Sequence, residues 1–155
     1  MPDFITKVVS ESVTRLGYRR GTYNNWYKHF PDLIQVVGLQ KSRWGGENYL
    51  EAGIWLKIFG PDERPKFNEC HVRLRLDATF GLEVGNLYNA LFDEEMYRMD
   101  ETERTEIITA AVKRTECAFF DKVQSIEQLG QFLIKCKKPV VLVDKEARQL
   151  FRLGS

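Results

Sequence analysis

The chain has 155 residues, 43% of them hydrophobic, and 23 basic side chains nearly balance 22 acidic ones. That length fits one domain able to bury roughly two-thirds of its unfolded surface without metals or disulfides. The charge balance excludes recruitment of nucleic acid or an anionic membrane by a global field, and no run approaches the ~18 apolar residues that span a bilayer.

In chain order, Pro2 and Asp3 suit a first helical turn, and Phe4, Ile5, Val8, Val9, Val13 and Leu16 recur at helical spacing until Gly17 stops them. Residues 18–30 are extended and aromatic, predicting a first strand, and Pro31-Asp32 turns the chain. Residues 33–44 and 47–59 then predict two long strands joined by a type I′ turn at Gly45-Gly46. That turn sets Gln40 opposite Glu51, Ser42 opposite Tyr49, Gly38 opposite Gly53 and Val36 opposite Trp55 on one polar, aromatic face. The other face collects Leu33, Val37, Leu39, Ala52, Ile54, Leu56 and Ile58, an apolar set that covers a core.

The stretch after Phe59, with Pro61 and Pro65 among charges, reads as a solvated loop. Residues 70–78 predict a fourth strand, in which Val72, Leu74 and Leu76 alternate with His71, Arg73 and Arg75. The second half turns helical. Asp100 with Glu103 and Ser125 with Gln128 resemble capping boxes that open two helices, and Asp144 suits the cap of a short last one, with PVVLV before it either an edge strand or an extended segment. The expected fold is therefore α+β over residues 1–155: a single domain with a four-stranded antiparallel β-meander, an N-terminal helix and C-terminal helices packed on one face.

The run LGY after the opening helix, then IQVVGLQKSRW and the strand YLEAGIWL, together resemble a bacterial family known only as a domain of unknown function. The resemblance covers roughly residues 1–140, and its most specific piece is Gln40-Lys41-Ser42-Arg43-Trp44 followed by Gly53-Ile54-Trp55. It implies no activity. By analogy, small bacterial α+β proteins of this kind often serve as immunity or other partner-binding proteins.

The residues themselves supply little chemistry. His29 and His71 are the only histidines, no Ser sits in a G-x-S-x-G or S-x-x-K context, and no phosphate-binding glycine loop occurs. Cys70, Cys117 and Cys136 are odd in number and lack zinc-site spacing, so no metal and no cofactor is expected. With no signal-peptide pattern at the N-terminus, the thiols point to a reducing cytoplasm. The candidate binding face is Gln40, Ser42, Tyr49, Glu51, Trp55, Arg73 and Arg75, where arginines, an amide and rings suit an anionic or planar ligand. Against it stands a plain solvated sheet face, with Gly38 and Gly53 making room for a packed helix or loop.

Two readings follow. The first is a non-enzymatic cytoplasmic protein that binds a protein partner, a toxin or other effector, with immunity-type inhibition among its forms; the acidic stretch Asp93, Glu94, Glu95, Asp100, Glu101 and Glu103 could mimic nucleic acid for a basic partner. The alternative is a ligand-binding or enzymatic domain in which Glu51 and Tyr49 act beside Arg73 and Arg75. Nucleic acid is not expected, because alternation puts Lys41 and Arg43 on the face opposite Arg73 and Arg75.

Overall fold

The computed structural model describes residues 3–21, 23–42, 46–76, 87, 90–91, 100–136 and 141–153. The first helix, α1, spans Phe4–Arg15, and the Asp3 carboxylate caps it by accepting from the Thr6 N–H at 2.8 Å. Its buried face, Ile5, Val8, Val9 and Val13, is the stripe that the helical spacing predicts.

Among the described residues the sheet is antiparallel and has six strands in chain order, not four: β1 Arg19–Arg20, β2 Asn25–His29, β3 Leu33–Lys41, β4 Asn48–Leu56, β5 Val72–Arg75 and β6 Leu142–Val143. The expected strand over residues 18–30 divides because Tyr23 and Asn24 both take positive φ, 56° and 57°, and fold β1 back on β2. The sixth strand is the short edge piece within PVVLV, of which residues 139 and 140 lie outside the described set.

The central hairpin keeps its two faces but not its expected register. Gln40 lies opposite Tyr49, Gly38 opposite Glu51, Val36 opposite Gly53 and Ile34 opposite Trp55, a shift of two residues. An even shift preserves the side-chain alternation, so the apolar pattern holds either register equally and the turn decides. The Ser42 N–H donates to the Glu47 carbonyl at 2.9 Å, so the loop is longer than two residues. Residues 43–45, including Gly45 of the expected turn, lie outside the described set. Ile58 also departs from expectation: β4 ends at Leu56, Lys57–Phe59 forms a 3₁₀ turn, and Ile58 is exposed.

Leu33, Val37, Leu39, Leu50, Ala52, Ile54, Leu56, Val72 and Leu74 form one buried cluster with the α1 stripe and the C-terminal helices. Those helices are α2 Glu101–Ala118, α3 Ile126–Lys135 and α4 Lys145–Leu150. Asp100 accepts from the Glu103 N–H at 2.7 Å and Ser125 from the Gln128 N–H at 3.1 Å, as their spacing predicts. Asp144 occupies the cap position of α4 without capping it through its side chain.

A buried polar network also sits on this largely apolar face. Gln35, almost wholly buried, donates to the Phe120 carbonyl at 2.8 Å, while its Oε1 lies 2.9 Å from the Tyr18 hydroxyl. The same hydroxyl is 2.7 Å from Glu116 Oε2, and Lys28 Nζ approaches the other Glu116 oxygen at 3.4 Å. Burial, with Glu116 beside it, pushes the Tyr18 phenol far above its ordinary range. The network ties β2, β3 and α2 together, and each partner left alone would be costly in the core.

Candidate functional site

The second face of the sheet is not simply solvated, because the stretch from Gly60 to Cys70 crosses it as a strap. Phe67–Glu69 forms a 3₁₀ turn, Cys70 is fully buried, and Cys70 packs with Tyr27, Ile34, Val36 and Trp55 in a small second core. The glycines explain how the strap lies so close. A Cβ on Gly38 would come 2.9 Å from Phe67 Cβ, and one on Gly53 would come 3.0 Å from Cys70 Cβ. The missing side chains therefore admit a loop of the same chain, the bland alternative for these glycines. Expecting residues 60–69 to be only solvated missed the apolar anchors Pro65 and Phe67.

The strap leaves two clefts beside it. The first, of about 300 Å³, is lined by Tyr23, Asn25, Gly38, Leu39, Gln40, Glu51, Lys66, Phe67, Asn68 and Arg73. Three of the seven candidate residues, Gln40, Glu51 and Arg73, thus meet in it. Glu51 is 4% exposed, and its carboxylate accepts from Gln40 Nε2 at 3.1 and 3.3 Å when the amide nitrogen faces it. Arg75 Nε lies 3.7 Å from Glu51 Oε1, as the pairing of β4 with β5 dictates. Arg73 reaches the other way: Nη1 donates to the Asn68 carbonyl at 3.2 Å and Nη2 lies 3.3 Å from Asp144 Oδ1. Its Nε is buried and meets no acceptor among the described residues.

The other four candidates stand outside the cleft. Arg75 and Tyr49 adjoin it, with the Arg75 guanidinium 4.3 Å above the Tyr49 ring and the Tyr49 hydroxyl donating to Glu47 at 2.7 Å. Ser42 ends the hairpin. Trp55 belongs to the other end of the sheet, where its indole donates to the Gly60 carbonyl at 3.3 Å and its ring lies 4.5 Å from that of His71. His71 is buried, its Nδ1 accepts from the Leu56 N–H at 2.9 Å, and burial holds it below its ordinary value. It is a core histidine.

Tyr23 and Lys66 are among the cleft residues that escaped the sequence reading. Tyr23 is 78% exposed on a left-handed backbone, and Lys66 Nζ sits 4.7 Å over its ring. Neither lies on a strand whose alternation would have aimed it at the site. Of the acidic stretch, Asp93, Glu94 and Glu95 lie outside the described residues; Asp100 is a cap, and Glu101 and Glu103 are exposed in the first turn of α2. Among the described residues no group of three His, Cys, Asp or Glu is placed to hold a metal, and no helix is long and apolar enough to cross a membrane.

Residues 9–122 match the model of a family described as Domain of unknown function (DUF4304). No curated protein and no solved structure matches the chain.

Proposed function

The chain belongs to the DUF4304 family, and we propose that it is a non-enzymatic bacterial cytoplasmic protein that binds a protein partner through the cleft beside its strap. Tyr23 carries the reading. A bulky residue in the left-handed region is strained by roughly 1–2 kcal/mol, and such strain persists where something other than stability is served. Here it holds an exposed aromatic ring at the rim of a cleft whose wall carries a buried carboxylate, an amide and an arginine. Exposed Tyr and Arg are the residues on which protein interfaces concentrate their binding energy.

The size of the cleft favours a side chain of a partner over a large cofactor, since about 300 Å³ is the lower end of the range for ligand pockets. An enzymatic use of Glu51 is less well supported, because Gln40 and Arg75 already occupy its oxygens. Immunity-type inhibition of a toxin is one form of this reading, and a toxin gene beside the coding sequence would favour it.

A quantitative pull-down from the native lysate tests the proposal. One partner should be recovered by the wild-type chain and by Lys135→Ala, exposed on α3 over the other face of the sheet, and lost with Tyr23→Ala and with Gln40→Ala. Equal recovery by all four would refute it.

A further inference from the structure

The second cleft, on the far side of the strap, has a different chemistry. It encloses about 460 Å³ around the β1 edge of the sheet, and its charged lining is Arg19, Arg20, Lys28 and Arg64 against the single carboxylate of Glu63. In a chain whose charges cancel to +1, four cations gathered against one anion are a strong local departure. Two of the four have other duties. Lys28 Nζ donates to the Leu16 carbonyl at 3.0 Å and faces Glu116, and the Arg20 guanidinium lies 5.5 Å over the Trp26 ring and donates to Asn24. Arg19 and Arg64 make no ion pair among the described residues, and both are exposed. They line the cleft from two different elements, one from the edge strand and one from the strap.

His29 completes the lining. Burial and the Lys57 charge hold it below its ordinary value, and its ring already bonds the Glu63 backbone, so it lines the cleft as a neutral group and not as a further cation. Cations that line one cleft from different elements suit an anion that presents several oxygens in different directions. Guanidinium forks bind phosphoryl oxygens in pairs, and two forks on separate elements match two linked phosphoryl groups better than one.

We infer that this cleft binds a compact small molecule carrying two or more phosphoryl groups, held between Arg19 and Arg64. Extended nucleic acid fits less well. It would need basic residues interleaved with exposed aromatic rings along one surface, whereas the exposed ring nearby, Tyr23, lines the first cleft and not this one. The site is independent of the partner-binding proposal, because no residue lines both clefts.

Calorimetric titration of the full chain with inorganic pyrophosphate, inorganic phosphate and a single-stranded oligonucleotide tests it. Pyrophosphate should bind saturably and more tightly than phosphate. Arg19→Ala and Arg64→Ala should each weaken it by roughly tenfold or more, Arg64→Lys by less, and Lys145→Ala not at all. Both arginines are exposed, so the variants should retain the wild-type melting temperature, and that measurement accompanies each titration. No saturable pyrophosphate binding, or unchanged affinity in both alanine variants, would overturn the inference. An oligonucleotide that binds at least tenfold more tightly than pyrophosphate, and loses that affinity in the same variants, would give the cleft to nucleic acid and overturn it equally.

Discussion

Arg73 of β5 and Asp144 at the start of α4 meet at 3.3 Å, so one arginine joins the sheet, the strap through Asn68, and the C-terminal helix. The pair is partly exposed on both sides, and such pairs contribute no more than about 1 kcal/mol. Arg73→Ala should therefore lower stability by about 1 kcal/mol or less in urea denaturation, and Arg75→Ala by a similar amount. Only Arg73→Ala removes a group from the cleft lining, so it should weaken the partner by about 2 kcal/mol while Arg75→Ala has a smaller effect.

Filling the glycine notches should displace the strap. In Gly38→Ala and Gly53→Ala the added methyl meets Phe67 or Cys70 at 3.0 Å or less, and overpacking of this kind costs about 1–3 kcal/mol. Denaturation midpoints of the two variants check this. Wild-type stability in both would mean that the strap is not packed on the sheet.

The opposite defect belongs to the other face. Ile54 is fully buried, and Ile54→Ala should cost about 2–5 kcal/mol through the cavity left among α1, the sheet and the C-terminal helices. Tyr18→Phe keeps the ring but strips Gln35 and Glu116 of their shared hydroxyl, which should cost about 1–3 kcal/mol. In both variants partner affinity, measured on the folded fraction, should stay as it is in the wild type.

Acidification should destabilise the fold through its histidines. His71 is held below its ordinary value of 6.5 by burial, so the unfolded chain binds the proton more readily than the folded one. Its contribution is complete above pH 6.5 and is lost as pH falls below that value, and His29 is shifted in the same direction. Denaturation midpoints between pH 7.5 and about pH 5 should fall, and His71→Phe should flatten part of that slope. An unchanged slope would mean that the imidazole is not desolvated.

Thiol labelling should separate the cysteines by burial. Cys117 is exposed, Cys136 is half-buried, and burial pushes the Cys70 thiol up. An alkylating reagent should modify Cys117 first and Cys70 only on unfolding, and a reducing agent should leave the melting temperature unchanged.

The alternation of Val37, Leu39, Ala52, Ile54, Val72 and Leu74 made both faces of the sheet legible in the sequence, and Asp100 and Ser125 made two helix starts legible, because each signal is local. The register was not, since a two-residue shift leaves every side chain on its face. The split of residues 18–30 into β1 and β2 was hidden too, because Tyr23 is a residue that the left-handed region disfavours and no local rule predicts it there. The lining of the candidate cleft was legible only in part. Alternation brought Gln40, Glu51 and Arg73 to one face, whereas Lys66 reached them through a strap whose path depends on long-range contacts with Gly38 and Gly53.

Tyr23 carries the proposed binding, which would give its left-handed backbone a role. Tyr23→Gly removes the ring and relieves the left-handed strain, with roughly 1–2 kcal/mol of relief against roughly 0.5–1 kcal/mol of added chain entropy. The decisive measurement is the affinity of this variant for the partner recovered with the wild-type chain, taken beside its urea denaturation. Affinity should fall by about 2 kcal/mol, while stability is unchanged or rises by up to about 1 kcal/mol. Wild-type affinity in the variant would contradict the assignment of the first cleft as the binding site.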